Sequence, residues 1–176
     1  MKKKVYALFL CISIFTLICF VMFNFVVYPQ KYKNIVVSCA DRFGLDKSLV
    51  YAVIKAESNF NKNARSSSGA LGLMQIIPTT GKWIASELNE EFEPEKLYDP
   101  ETNVLYGCFY LDYLFDKFEN VKVVICAYNA GESKVRDWID EKGEIDENLI
   151  DYTETKTYLK RVLGFWNVYK NDEISK

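Results

Sequence analysis

The chain has 176 residues, of which 49% are apolar and 15% aromatic, and its formal net charge is −2. This length and apolar fraction suit one compact domain and exclude disorder over most of the chain. The slightly acidic balance disfavours a nucleic-acid partner, because such binding depends on clustered positive charge. Histidine is absent, which excludes Ser-His-Asp and Cys-His catalysis and every histidine-containing metal site. Acid–base chemistry near neutral pH must then depend on carboxylates, Tyr, Lys or Cys.

The N-terminal segment is predicted to be a membrane anchor. Lys2, Lys3 and Lys4 precede a charge-free run from Val5 to Tyr28. About 24 residues are enough to span a bilayer, and the positive flank predicts that the remainder lies on the extracytoplasmic side. A cleaved signal peptide is the alternative, but no A-x-A-like cleavage site follows. We predict a single-pass anchor over residues 1–28, a linker over 29–33, a folded domain over 34–170 and a polar tail over 171–176.

Three cysteines lie in the predicted domain, namely Cys39, Cys108 and Cys126. They form no C-x-x-C pair, so neither a zinc ribbon nor a thioredoxin-like site is supported. We expect them to be buried reduced thiols, since a free cysteine packs as a small apolar residue. A disulfide that includes Cys39 is the alternative.

The domain is predicted to be nearly all α-helical. Apolar residues recur at helical spacing in each long segment, and Asp, Pro or Gly marks most of the boundaries. The segment from Ile145 to Tyr152 is the one place where strand alternation arises, and it is too polar to assign. The predicted helices cover residues 30–42, 46–57, 78–88, 99–115, 121–128, 133–139 and 154–169, and an ordered polar loop covers 59–69.

Glu57 is the first candidate for chemistry. If Leu49 and Val53 face the core, Glu57 continues the same stripe, because positions three or four residues apart share a helix face. Burial raises the pKa of a carboxyl group and turns it into a proton donor at neutral pH. Taken alone, Glu57 is explained as well by a partly exposed glutamate that pairs with Lys55 or Arg65.

Two further segments place polar groups beside glycines. The segment Ser66–Gln75 contains Gly69 and Gly72, and glycine allows the backbone to approach a ligand closely. The segment Ala127–Gly131 ends an apolar helix with Tyr128 and an amide. A tyrosine can stack on the face of a sugar while it offers a hydroxyl group. In isolation, a buried tyrosine and an ordinary helix stop explain this second segment better.

Together, four ordered motifs resemble those of the soluble lytic transglycosylase family. Each motif is weak alone, but four in this order are specific, and they cover about residues 30–168. They are Glu57-Ser58-x-Phe60; Gly72-Leu73-Met74-Gln75 with Pro78 and Thr80; Ala127-Tyr128-Asn129-Ala130-Gly131; and Glu154-Thr155-x-x-Tyr158-x-x-Arg161-Val162.

The resemblance implies an all-α, goose-lysozyme-like catalytic domain that acts on peptidoglycan glycan strands. Members of the family cleave the β-1,4 bond between N-acetylmuramic acid and N-acetylglucosamine with neither a metal nor an organic cofactor. Glu57 matches the catalytic glutamate, whereas Phe60, Trp83, Arg161 and Trp166 are expected to serve packing. The positions expected to bind substrate are Ser66, Met74, Gln75, Ile77, Tyr128, Asn129, Glu154 and Tyr158.

The resemblance also implies that one carboxyl group acts twice, although ordinary glycosidases use two. Glu57 first donates a proton to the leaving sugar oxygen, while the substrate's 2-acetamido group is the nucleophile. Glu57 then takes the proton of the muramic acid C6 hydroxyl, which closes a 1,6-anhydro ring. We expect Tyr128 to hydrogen-bond near Glu57 or the acetamido group, and Glu154 to be structural or substrate-orienting. The alternatives are a hydrolase of the same fold and a wall-binding component of an envelope assembly.

Overall fold

The structure is a computed structural model that describes residue 6, residues 9–17 and residues 29–171. Two compact units make up the chain, Met1–Lys31 and Tyr32–Lys176. In the first unit, residues 6 and 9–17 are helical. Among the described residues, no helix is both long enough and apolar enough to cross a membrane. Most of the predicted anchor (residues 1–5, 7–8 and 18–28) and residues 172–176 of the predicted tail lie outside the described residues.

The second unit consists of helices joined by loops, which confirms the predicted all-α class. Over its described residues the only β-type pairings are isolated bridges, such as the one between Ile139 and Ile145. The helices are α1 (Lys33–Arg42), α2 (Lys47–Ser58), α3 (Pro78–Glu87), α4 (Pro100–Lys117), α5 (Val121–Ala130), α6 (Glu132–Val135) and α7 (Thr153–Asn171), and two 3₁₀ turns cover Pro94–Tyr98 and Arg136–Trp138.

The structure differs from the sequence prediction after α5. One helix was predicted around Ser133 to Ile139, whereas the structure has the single turn of α6 followed by a 3₁₀ turn. Gly131 separates α5 from α6 with a φ of 92°, a backbone conformation that glycine adopts readily. The 3₁₀ turn Pro94–Tyr98 was not predicted, because Leu97 is its only buried residue and a single apolar residue has no periodicity.

Helix α2 is the centre of the fold. Its residues from Leu49 to Ile54 are all fully buried, so the helix is covered on every side. Burial of each large aliphatic side chain stabilises the fold by about 1.5–3 kcal/mol. Helix α2 packs chiefly against α7, which also contacts α5. Asp46 caps its start by accepting a hydrogen bond from the Ser48 backbone N–H at 2.8 Å. The C-terminal end of α2 is therefore held in a fixed position.

The cysteines of the second unit are free thiols in the structure. Cys108 and Cys126 are fully buried, and Cys39 is partly exposed. Burial raises the pKa of all three thiols. These thiols therefore have little thiolate character at neutral pH.

Candidate active site

Glu57 lies in the last turn of α2, where the chain reverses direction. Asn59 and Phe60 follow with φ values of 51° and 63°, which few non-glycine residues adopt. Such a conformation persists only when the surrounding structure holds it in place. Here Phe60 is buried, and Ser58 donates its hydroxyl to the backbone carbonyl of Leu73 at 2.7 Å. These contacts fix the end of α2, and with it Glu57, to the loop that contains Leu73.

The environment of Glu57 makes it a weaker acid than an ordinary glutamate. Burial is the main cause and raises its pKa to about 7. The Tyr158 hydroxyl and the Arg161 guanidinium act in the opposite direction, and the charge of Glu154 adds a smaller increase. These three residues are spaced four and three apart on α7, so they share one helix face. A carboxyl group with a pKa near 7 can donate a proton and then accept one at neutral pH.

Tyr158 is the buried neighbour of Glu57. Its side chain is only 2% exposed, and its hydroxyl makes no hydrogen bond of good geometry with the described residues. Burial and the charge of Glu57 raise the pKa of Tyr158 well above its usual value. A buried hydroxyl without a close partner is costly, and the adjacent carboxyl group is the acceptor within reach. The position of Tyr158 therefore suits orientation of Glu57 better than contact with a ligand.

Tyr128 connects helix α5 to the loop of residues 71–76, which we name the glycine loop. Its hydroxyl donates to the backbone carbonyl of Met74 at 2.9 Å. Burial and the charge of Glu57 raise the pKa of Tyr128 well above its usual range, so the two side chains are neighbours. The expected bond from Tyr128 to Glu57 is absent from the hydrogen bonds of the described residues, because the hydroxyl proton is committed to Met74. Towards a ligand, the Tyr128 oxygen can act only as an acceptor.

A buried asparagine that the motifs did not reveal holds the glycine loop in place. The Asn103 side chain accepts from the Met74 N–H at 2.7 Å and donates to the carbonyls of Leu71 and Leu97 at 2.9 and 2.7 Å. Gly72 lies against the same groups with a φ of 78°, and a side chain there would overlap the Leu97 carbonyl and the Asn103 amide. In the sequence Asn103 has no local signal, because its three bonds all reach residues outside its own helix.

A pocket of about 210 Å³ opens beside Tyr128. Gln75 donates its amide group to the carbonyls of Ala64 and Gly72 at 3.2 and 2.8 Å, which leaves its amide oxygen available as an acceptor. Ile77 is 43% exposed and offers an apolar surface. The pocket is lined by Gln75, Ile76, Ile77, Thr80, Tyr110, Tyr128, Asn129, Ala130 and Gly131.

The structure brings four of the predicted substrate-binding residues to this pocket, namely Gln75, Ile77, Tyr128 and Asn129. Asn129 has a second role, because its side-chain oxygen accepts from the Thr155 hydroxyl at 2.8 Å. That bond joins α5 to α7, the helix that carries Glu154 and Tyr158. Glu154 is exposed and is close enough to Glu57 to raise its pKa.

Met74 does not have the place that was expected of it. We predicted that its side chain lines the groove, but that side chain is fully buried. It packs so closely on Gly107 of α4 that an added Cβ there would overlap the sulfur. Met74 and Gln75 are adjacent in the turn, but their side chains lie on different sides of the loop. Gln75 has a left-handed φ of 51°, and its side chain lines the pocket. The Met74 side chain holds the glycine loop against α4.

Ser66 lies in a turn away from the pocket beside Tyr128. Its hydroxyl accepts from the Ala70 N–H at 2.9 Å and pairs with the Ser68 hydroxyl at 2.8 Å. A neighbouring cleft of about 410 Å³ is lined by Arg65, Ser68 and Ile77, among others. Ile77 lines both spaces, so this cleft adjoins the pocket beside Tyr128. Ser66 shapes the turn at the edge of the cleft.

Arg161 lies close enough to Glu57 to affect its pKa. It was expected to serve packing, but it is exposed, and its guanidinium lies 5.8 Å from the ring centroid of Tyr158. Its charge favours ionised Glu57. The signal that could have found it is the spacing of Glu154, Tyr158 and Arg161 on one face of a helix. Within the described residues, no group of His, Cys, Asp or Glu side chains could hold a metal ion.

An all-helical domain in which a buried helix-end glutamate with a pKa of about 7, Glu57, lies among tyrosines beside an open pocket is typical of the lysozyme-like class. The sequence comparison identifies the family within that class. The chain belongs to the transglycosylase SLT domain family, whose model matches residues 35–150.

Similar proteins match most of the chain. The soluble lytic murein transglycosylase of Salmonella typhimurium is 32% identical over 152 residues, which is 82% of this chain and 24% of the relative. The membrane-bound lytic murein transglycosylase C of Mannheimia succiniciproducens is 32% identical over 136 residues, or 71% of this chain and 38% of the relative. The crystal structure of the 70 kDa soluble lytic transglycosylase of Escherichia coli has a TM-score of 0.73 at 31% identity, over 84% of this chain and 26% of that chain. The chain thus spans about a quarter of the length of its soluble relatives.

Proposed function

We propose that the protein is a peptidoglycan lytic transglycosylase. It cleaves the β-1,4 bond between N-acetylmuramic acid and N-acetylglucosamine and leaves 1,6-anhydromuramic acid ends. The observation that carries the proposal is the Glu57 carboxyl group, which is fixed at the end of α2 with a pKa of about 7. The names of the relatives, which are murein transglycosylases, support both the substrate and the type of reaction.

In the first step the protonated Glu57 donates its proton to the glycosidic oxygen. The bond from C1 of muramic acid to that oxygen breaks through an oxocarbenium-like transition state. The carbonyl oxygen of the 2-acetamido group forms a bond to C1, and N-acetylglucosamine leaves with the proton on its O4. Glu57 is then a carboxylate. Its raised pKa makes the proton available at neutral pH, which an ordinary glutamate does not achieve.

In the second step the Glu57 carboxylate takes the proton of the C6 hydroxyl. O6 attacks C1, the bond from C1 to the acetamido oxygen breaks, and the 1,6-anhydro ring closes without consumption of water. Glu57 is protonated again and ready for the next bond. Arg161 stabilises the carboxylate that exists between the two steps, and Glu154 favours its reprotonation, in line with their opposite effects on the Glu57 pKa.

We separate the predicted substrate-binding residues into those that line the pocket and those that do not. Gln75, Ile77, Tyr128 and Asn129 line the pocket, and we assign them to direct contact with the sugars. Ile77 supplies an apolar surface, while the other three supply hydrogen-bonding groups. Tyr158 orients Glu57. Among the remaining predicted positions, Glu154 sets the charge beside Glu57, and Ser66 and Met74 shape the loops that form the pocket.

The mass of the reaction products tests whether the protein is a transglycosylase or a hydrolase. Purified peptidoglycan digested by the protein should give muropeptides with anhydro ends, measured by mass spectrometry. Products that are heavier by one water would show a hydrolase instead. Binding without any product would favour a wall-binding component. The control is Glu57→Gln, which should reduce turnover by several orders of magnitude with an unchanged helical circular dichroism spectrum; full activity of this variant would contradict the acid–base role.

We further propose that the N-terminal segment holds residues 34–170, the catalytic domain, at the outer face of the cell membrane. The support is the charge-free run between Val5 and Tyr28 behind three lysines, together with the membrane-bound relatives. The full chain should sediment with membranes and dissolve only in detergent. A released protein whose N-terminus begins after about residue 28 would show signal cleavage and reject the anchor.

A further inference from the structure

A second pocket, of about 300 Å³, adjoins the one beside Tyr128. Thr80 and Tyr110 line both pockets, so the two spaces adjoin at these side chains. Neither Lys nor Arg is among the residues that line it. We name it the aromatic cleft; its lining residues are Thr79, Thr80, Trp83, Tyr110, Tyr113 and Glu132.

The aromatic rings form an unbroken series from the candidate active site into this cleft. Tyr128 lies 5.4 Å from Tyr110, measured between ring centroids. Tyr110 is stacked at 6.1 Å on Tyr113, whose ring lies 4.8 Å from that of Trp83. Trp83, Tyr110 and Tyr113 are all partly exposed, unlike the fully buried Trp138 of the core. Packing alone does not require three neighbouring aromatic side chains to keep exposed surface.

The polar edge of the cleft is a fixed acceptor. Glu132 accepts hydrogen bonds from Tyr113, Lys117 and Arg136 at 3.0, 3.1 and 2.9 Å. Arg136 and Lys117 are the main causes that lower the Glu132 pKa to about 2. The carboxylate is therefore ionised at any pH at which the enzyme would work, and its orientation is held from three sides. Such a group accepts hydrogen bonds from the hydroxyls and amide N–H of a sugar.

We propose that the aromatic cleft is a distal sugar subsite, which binds the same glycan strand beyond the sugars next to the cleaved bond. Aromatic faces stack on the apolar faces of sugar rings, while threonine hydroxyls and a fixed carboxylate match their hydroxyl groups. A polymer that fills the pocket at Tyr128 would reach the aromatic cleft past Thr80 and Tyr110, which line both spaces. The inference rests on the proposed function and adds to it a preference for long strands.

The experiment compares short and long substrates. Trp83→Ala and Tyr113→Ala are assayed on a tetrasaccharide and an octasaccharide prepared from purified peptidoglycan. For the octasaccharide, kcat/KM should fall about tenfold or more, mainly through KM, because the lost contacts act equally on the ground state and the transition state. For the tetrasaccharide, kcat/KM should stay within a factor of two. Trp83→Phe should retain most of the octasaccharide activity.

The matched control is Phe109→Leu. Phe109 packs on Trp83 at 5.7 Å but does not line the cleft, so its replacement should affect both substrates equally. An equal loss on both substrates in Trp83→Ala would show that Trp83 is merely structural and would overturn the proposal. No loss on either substrate would overturn it as well.

A binding measurement separates this inference from the proposed function. In the Glu57→Gln background, calorimetry should show about tenfold tighter binding of the octasaccharide than of the tetrasaccharide. Trp83→Ala should remove that difference. If the native chain cleaves neither substrate, the proposed function fails, while the calorimetric difference still supports or overturns the subsite.

Discussion

The Tyr128 hydroxyl donates to the backbone carbonyl of Met74 at 2.9 Å, and this bond joins residues 54 positions apart in the sequence. It ties helix α5 to the glycine loop next to Glu57. This bond holds the glycine loop in place. Because it uses the hydroxyl proton, the Tyr128 oxygen can only accept a hydrogen bond from a ligand.

Tyr128→Phe tests both consequences of this bond, the position of the glycine loop and the acceptor oxygen. The variant leaves the Met74 carbonyl without its partner, which should lower the free energy of unfolding by about 1–2 kcal/mol. Turnover of glycan should fall about tenfold, because the loop and the acceptor are lost together. Tyr106→Phe is the matched control, since Tyr106 also uses its hydroxyl as a hydrogen-bond donor, to Glu90 at 3.1 Å, and does not line the pocket. Equal activity losses in the two variants would contradict a specific role for Tyr128.

Two charge-neutralising variants on α7 should move the pH profile in opposite directions. Arg161 lowers the Glu57 pKa and Glu154 raises it. Activity requires protonated Glu57 in the first step, so kcat/KM should decline as the pH rises through the Glu57 pKa. Arg161→Gln should shift this decline to higher pH and Glu154→Gln to lower pH. Profiles of kcat/KM against pH at low ionic strength measure both; shifts of the same sign would contradict this account.

Glu57 should also make the stability of the fold depend on pH. Its pKa in the folded protein, about 7, lies above the ordinary value of 4.5, so the folded state binds the proton more tightly than the unfolded state. The resulting stability is fully present below pH 4.5 and is lost as the pH rises through about 7. Glu57→Gln has no such loss, and above pH 7 it should be more stable than the native chain by on the order of 2 kcal/mol.

Thermal or urea unfolding at a series of pH values measures the difference. The two proteins should have similar stability near pH 4.5 and should diverge as the pH rises to about 7. A difference that does not change with pH would mean that Glu57 is not destabilised by burial. Glu154→Gln is the comparison, because Glu154 is exposed and adds only a smaller increase to the Glu57 pKa, so its stability should change with pH almost as that of the native chain does.

Much of this site could be predicted from the sequence, because helical spacing determines which residues share a face. The spacing of Leu49, Val53 and Glu57 placed the carboxyl group on the buried side of α2, and the structure has it beside Tyr158. Spacing does not determine which way side chains point in a turn. The glycine loop has left-handed backbone at Gly72 and Gln75, and in it the Met74 side chain is fully buried whereas Gln75 lines the pocket.

Contacts between segments that are distant in the sequence could not be predicted either. Trp83 was expected to serve packing, and only the arrangement of α3 against α4 shows that its ring shares a cleft with Tyr110 and Tyr113. Asn103 is the same kind of case. Its position on α4 predicts an ordinary helical residue, whereas its bonding partners are 29 and 32 positions away in the glycine loop.

Asn103→Ala should therefore affect stability and activity together. The change leaves the Met74 N–H and the carbonyls of Leu71 and Leu97 without partners in a fully buried position. A loss of about 3–5 kcal/mol in the free energy of unfolding is expected, because unsatisfied buried groups retain their desolvation cost. Turnover should fall by more than tenfold even where the variant is fully folded, since the glycine loop forms one wall of the pocket.

Asn120→Ala is the control for Asn103→Ala. Asn120 caps α5 by accepting from the Lys122 N–H at 2.9 Å, and loss of a cap costs about 1 kcal/mol. Its activity should be unchanged at temperatures where it is folded. Asn103→Asp keeps the acceptor for Met74 but loses both donors, so its stability should not exceed that of Asn103→Ala by more than about 1–2 kcal/mol. Native-like turnover in Asn103→Ala would show that the pocket does not depend on this support.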